Sequence, residues 1–262
     1  LNKYFVPLVR NARNKENTHL AELFEEINDV LMNIYGTEKS VALEKILSQN
    51  TVVEEIPGAF VEQDGKQIQL EMSQNEAYKK WMEWKDPTLR PTFEKMGYTE
   101  ETMEAIDQWL SPEVKEWARW QMEDFLPRLY EQINAVFRER FNVDLPFNEF
   151  YSPISRDVVD EKGDDPFLQG KGAYASVLNG HLKSRVDNTN ALRYLDGDAS
   201  LSQHIVQMIH FIHWTKPMVE MRSILGSSSV QKAIQQFHGG TTKKVLNDQM
   251  NDLARGGIDR AG

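Results

Sequence analysis

Apolar residues return at helical intervals through most of this chain. From Thr18 to Tyr35, Leu20, Leu23, Phe24, Ile27, Leu31 and Ile34 share one side while Glu25, Glu26 and Asp29 fall largely elsewhere, which predicts an amphipathic helix stopped by Gly36. A shorter helix over Ser40 to Gln49 turns Leu43, Ile46 and Leu47 inward. The period then changes. Phe60 to Leu70 partly alternates apolar and polar residues around Asp64-Gly65, a strong hairpin signal and the one convincing piece of β-structure.

Helical spacing resumes with Ala77, Tyr78, Trp81 and Met82 and is broken by Asp86-Pro87 and Arg90-Pro91. Thr99, just ahead of Glu100 and Glu101, caps a helix that turns Met103, Ile106 and Leu110 inward. Ser111 and Pro112 supply the cap and first residue of the longest helix, whose stripe runs through Val114, Trp117, Met122, Phe125, Leu129, Ile133, Phe137 and Phe141. About 28 residues would span about 42 Å, with a kink expected at Pro127, which cannot donate to the Glu123 carbonyl. Residues 142–172 hold Pro146, Pro153, Pro166, Gly163, Gly170, Gly172 and a charge-rich run from Asp157 to Asp165. They read as a long connection, and such segments are usually functional or mobile. Helices return over Ala173 to Val186, over Ser200 to Leu225 around Pro217, from Ser229 to Phe237 before Gly239-Gly240, and from Thr242 to Ala254.

These elements define a mainly α fold, a multi-helix bundle-like array with one small β-hairpin near residues 59–71. Its expected organisation is N-terminal helices over 1–52, a hairpin and long-helix unit over 53–147, an extended connection over 148–172 and a C-terminal helical unit over 173–262. The chain opens at Leu1 and stops shortly after Gly256-Gly257, so it reads as a fragment of a longer polypeptide.

Composition narrows the chemistry. The net charge is −10, from 40 acidic against 30 basic residues, so a nucleic-acid surface over the whole molecule is disfavoured although a local basic strip is not. Cysteine is absent, which removes disulfides, thiolate metal sites and cysteine nucleophiles. No run of about 18 apolar residues and no secretory leader pattern occurs, so neither a membrane span nor a signal peptide is expected.

His204, His210 and His213 suggest a metal-binding helix until their directions are counted. At about 100° per residue His204 and His213 point about 180° apart, and only His210 and His213 are neighbours, at about 60°. No metal site is expected, and the histidines read as helix contacts. On the same helix Gln203, Gln207, His210 and Trp214 line up opposite the apolar face of Leu201, Ile205, Met208, Ile209 and Ile212. An aromatic in a polar stripe implies a second contact layer, either another helix of this chain, the favoured reading, or a partner surface.

Five of the six tryptophans, Trp81, Trp84, Trp109, Trp117 and Trp120, fall in one stretch beside Lys79, Lys80, Lys85, Arg90, Lys115 and Arg119. Such a mixture can stack on single-stranded bases. Here Trp117 lies on the apolar stripe and Glu76, Glu83, Asp86, Glu113, Glu116 and Glu123 cancel the positive charge, which favours packing. The neighbouring carboxylates Glu54-Glu55 and Asp164-Asp165 would do acid–base chemistry only if buried and opposed. Neither a nucleophile elbow, a phosphate-binding loop, a zinc-protease motif nor a dinucleotide fingerprint occurs, and no catalytic residue or cofactor is assigned.

Three segments carry a resemblance: KWMEWKDPTLRPTFEKMGYTEETMEAIDQWLSPE from Lys80, NEFYSPISR from Asn148, and QQFHGGTTKKVLNDQMNDLARGG from Gln235. In this order they resemble the α-helical associated regions of the large polyvalent proteins of tailed bacteriophages and mobile elements, over roughly residues 50 to 257. In that family an aromatic-x-Pro-x-x-Arg element follows the long helix, matched by Tyr151, Pro153 and Arg156; the chain has Tyr151-Ser152 where an asparagine and second aromatic are more usual. The resemblance implies a very long parent chain held in the virion interior and delivered to the host cell with the DNA. Its partners would be other domains of the parent or other virion proteins. The rival reading is a helical hydrolase or nucleic-acid-binding segment of the same parent, the hydrolase site lying between residues 142–172 and His181, His210 or His213. A converged pocket holding a histidine and a carboxylate would favour the hydrolase; a filled core there would favour the non-catalytic module.

Overall fold

The structure, a computed structural model, describes residues 2–36, 52–63, 65–149 and 197–254. The expected helices over 40–49 and 173–186, and most of the 148–172 connection, lie outside the described residues. What is described is mainly α, with one two-stranded antiparallel sheet.

Helix α1 (Asn2–Tyr35) begins well before the Thr18-to-Tyr35 stripe and includes Pro7. Its first half carries Phe5, Leu8, Val9 and Ala12 at i, i+3, i+4 and i+7, and this side packs against Trp214, Met218, Met221 and Leu225. Gly36 ends it at φ 59, a left-handed conformation suited to glycine.

Strands β1 (Glu54–Gln63) and β2 (Lys66–Met72) form the hairpin, with Gln63 opposite Lys66 and Gly65 at φ 72 in the turn. The ladder is regular from Gln63 back to Phe60, then irregular until Glu55. Pro57-Gly58 lies in this bulge, with Gly58 at φ 79, and the Gln69 side-chain amide donates to the carbonyls of Ile56 and Ala59 at 2.5 and 3.0 Å. The bulge lets Ile56, Ala59 and Val61 all face the core, so the strand starts earlier than alternation alone predicts.

Helix α2 (Gln74–Trp84) is capped by Ser73, whose hydroxyl accepts from the Glu76 N–H. A short α3 (Arg90–Lys95) forms where the two proline pairs predict only a break, because Pro91 sits in its first turn and costs no hydrogen bond. Helix α4 (Glu100–Trp109) starts in a capping box between Thr99 and Thr102, and α5 (Pro112–Trp120) is capped by Ser111.

The long helix continues from α5 through a π turn, Gln121–Phe125, into α6 (Leu126–Phe141). The irregularity therefore lies just ahead of Pro127: the Leu126 N–H bonds to the Gln121 carbonyl, five residues back. Adding one residue to the turn accommodates the proline ring and keeps Met122, Phe125, Leu129, Ile133 and Phe137 buried together. The stripe ends at Phe141, which is 40% exposed.

Helix α7 (Gly197–Gly226) is buried on most of its circumference and packs against α1, α2, α6 and α8 (Ser228–Ala254). The α8 axis breaks at Gly239, φ 81, where sequence places a gap between two helices. The main core gathers the hairpin, α2, α5, α6, the second half of α1 and the first half of α7. A smaller core joins the first half of α1, the second half of α7 and Ile234 of α8.

Candidate functional site

The histidine face of α7 meets α1 where the two cores adjoin. Residues 16 and 19 lie one turn apart on α1, as do 210, 213 and 214 on α7, so each helix presents its members along one edge. Glu16 Oε1 lies 2.8 Å from His210 Nδ1, and the Trp214 indole N–H donates to Glu16 Oε2 at 2.6 Å. One turn along, His19 Nδ1 and His213 Nε2 are 3.0 Å apart, with the rings edge to face at 5.2 Å. His210 stacks on Trp214 with centroids 5.4 Å apart.

Of the four residues in the predicted polar stripe, His210 and Trp214 are buried, Gln207 is half-buried and Gln203 is exposed. The layer over His210 and Trp214 is α1 of the same chain. His204 is buried on another side of the helix. Tyr151, Pro153 and Arg156 lie outside the described residues, as does His181. Glu16 and His19 escaped sequence reading because they stand on the polar part of α1 and meet their partners across 194 to 198 residues. Their spacing of three residues was the only available signal.

Electrostatics follow from the partners. Burial opposes the charge on Glu16, yet hydrogen bonds from His210 and Trp214, with His210 and His213 nearby, hold its carboxyl below the ordinary range. Burial lowers the His213 value, and His19 and Lys15 push the same way against Glu16. Two imidazoles sharing one hydrogen bond need a donor on one and a lone pair on the other, so at least one of the pair is neutral.

A second polar cluster surrounds the start of α7. Tyr78 and Trp117 donate to Asp198 Oδ1 at 2.7 and 3.0 Å, and the Asp198 N–H donates to Asn75 Oδ1 at 3.2 Å. Lys79 donates to Ser200 and lies 3.9 Å from Glu83; Lys80 pairs with Glu76 at 3.4 Å. Burial lowers the Lys80 value, partly offset by Glu76 and Glu83, while burial and Asp198 raise the Tyr78 hydroxyl well above its usual value. Gly197 approaches the Tyr78 ring so closely that a Cβ would stand 2.3 Å from it. The cluster thus fixes the entry of α7 onto α2 and α5.

Buried Lys79 and Lys80 therefore do not belong to a phosphate-contacting strip. The neighbouring tryptophans are also engaged: Trp117 stacks on Trp120 at 5.1 Å, Trp81 donates to Asp107 at 2.8 Å, and the Lys85 ammonium lies 3.7 Å from the Trp81 ring centre. Among the described residues no group of three or more histidine, cysteine, aspartate or glutamate side chains is arranged to hold a metal ion. No described helix is long and apolar enough to cross a membrane. Comparison of the chain with protein-family models, curated proteins and solved structures returned no match.

Proposed function

We propose that this chain is a non-catalytic structural or interaction module of a large bacteriophage protein, held in the virion interior and delivered with the DNA. The observation that carries the reading is the ordered set of three family-like segments from Lys80, Asn148 and Gln235. The use of its chemistry-bearing side chains adds support. A histidine and a carboxylate do converge at His210 and Glu16, but Trp214 stacks on the one and donates to the other, and both His210 and Trp214 are buried. Tyr78, Lys79 and Asp198 are likewise committed to contacts between α2 and α7, and Lys80 and Glu83 to ion pairs along α2. These arrangements favour packing over hydrolysis, and the cation–π pairs around Trp81 and Trp84 favour it over stacking on single-stranded nucleic acid.

The experiment is peptide mass spectrometry on purified particles of the phage encoding the chain, set beside lysate of infected cells. Peptides of the chain should be enriched with the particles and survive nuclease and protease treatment of their exterior. A parent abundant in lysate and missing from particles would overturn the packaged-protein reading.

A further inference from the structure

We propose that the His19–His213 contact is a proton-operated latch that holds the middle of α1 on α7 at neutral pH and releases it in mild acid. The geometry carries the argument. The two ring nitrogens face each other at 3.0 Å, a distance that requires one proton between them. One ring can carry an added proton and still donate to its neutral partner; once both rings are protonated both facing nitrogens are donors, and an attraction between the helices becomes a repulsion. The charged groups that act on the pair are Lys15 and Glu16 on α1, and the titratable group next along α7 is His210, which contacts Glu16. Lys15 adds to the repulsion. Glu16 opposes it, but both of its oxygens are already engaged by His210 and Trp214 on α7.

The sign of the pH dependence follows from burial. His213 is held below the ordinary histidine value in the folded chain, so folding favours its neutral form. The stability this provides is present above about pH 6.5, the unfolded value, and is lost as pH falls from there toward the folded value. Glu16 stays ionised throughout that window because its own value is depressed. Acid therefore weakens the His19–His213 junction first, while Glu16 and His210 remain paired one turn away. Opening at this point loosens the next turns of α1, which carry Leu23 and Ile27, both buried in the main core.

The test is hydrogen exchange by mass spectrometry on the full chain at pH 7.5 and pH 5.5, corrected for intrinsic exchange rates. Peptides spanning residues 15–27 should lose protection by about tenfold on acidification, while α4 peptides keep theirs. In His19→Gln and His213→Gln, which cannot place two charges at the contact, the ratio between the two pH values should approach one. Unchanged protection of α1 in the parent chain overturns the latch, as does parallel loss in α1 and α4, which marks global unfolding. Retention of the parent's pH response in both variants also overturns it. If the variants do not fold, histidine NMR of the unmodified chain decides. A His213 midpoint below the ordinary histidine value supports the latch, and an unshifted one refutes it.

Discussion

Phe125 tests whether the long helix is built around its π turn. The side chain is 1% exposed, stands at the last position of the turn and lies 4.9 Å from the Trp120 ring. Truncation to alanine removes the ring from a filled site and leaves a cavity that the flanking helices cannot close without moving Leu129 and Trp120, so the expected loss is about 3 to 5 kcal/mol. In a chain of this size each kcal/mol corresponds to about 2 to 4 °C in midpoint, which gives a fall of roughly 6 to 20 °C. Phe141→Ala provides the contrast, because that ring is 40% exposed at the end of the same stripe. It should cost less than about 1 kcal/mol. Thermal melts followed by circular dichroism read both variants. Phe125→Ala melting with the parent, or falling no further than Phe141→Ala, would refute the placement of Phe125 in the core.

Two further outcomes follow. A Cβ on Gly97, at φ 86, would stand 2.1 Å from the Glu62 carbonyl oxygen, so Gly97→Ala must part this loop from β1 and break the 3.1 Å bond from the Glu62 N–H to the Gly97 carbonyl. The expected cost is about 2 to 4 kcal/mol, read by urea denaturation, and a midpoint equal to the parent's would contradict it. The depressed Glu16 carboxyl stabilises the fold above the ordinary value of 4.5, and this contribution is lost as pH falls through the lower folded value. Glu16→Gln should therefore flatten the acid limb of a stability profile below pH 4.5, whereas an identical acid limb in both proteins would refute the assignment.

The legible parts of the fold were those governed by local chemistry. Thr99 and Ser111 announce their helices through capping, Asp64-Gly65 announces the hairpin, and Gly239 marks the break in α8. The π turn was half-legible. Trp117 and Met122 are five residues apart, a gap that a regular helix would not leave between neighbours on one stripe, and Pro127 follows closely. The first half of α1 was legible but passed over: Phe5, Leu8, Val9 and Ala12 stand at helical spacing, with Pro7 between them reading as a breaker, while their partners Trp214 and Met218 at the other end of the chain could not be read. The same holds for the bulge before Phe60, whose carbonyls are satisfied by the side chain of Gln69. At the candidate site the directions of His204, His210 and His213 were readable from helical spacing. The partners Glu16 and His19 were not, since nothing in a polar stretch of helix says which distant residue it will meet. Lys79 and Lys80 show the same limit: charge suggests a solvated surface, while Glu76, Glu83 and Ser200 allow burial.

The central claim is that Glu16 and His210 fasten α1 to α7, and a double-mutant cycle between Glu16→Gln and His210→Asn tests it most directly. Stability at neutral pH should show a coupling of about 1 to 3 kcal/mol, as expected for a buried charge-assisted contact. Strictly additive losses, with no coupling beyond the error of the measurement, would contradict it.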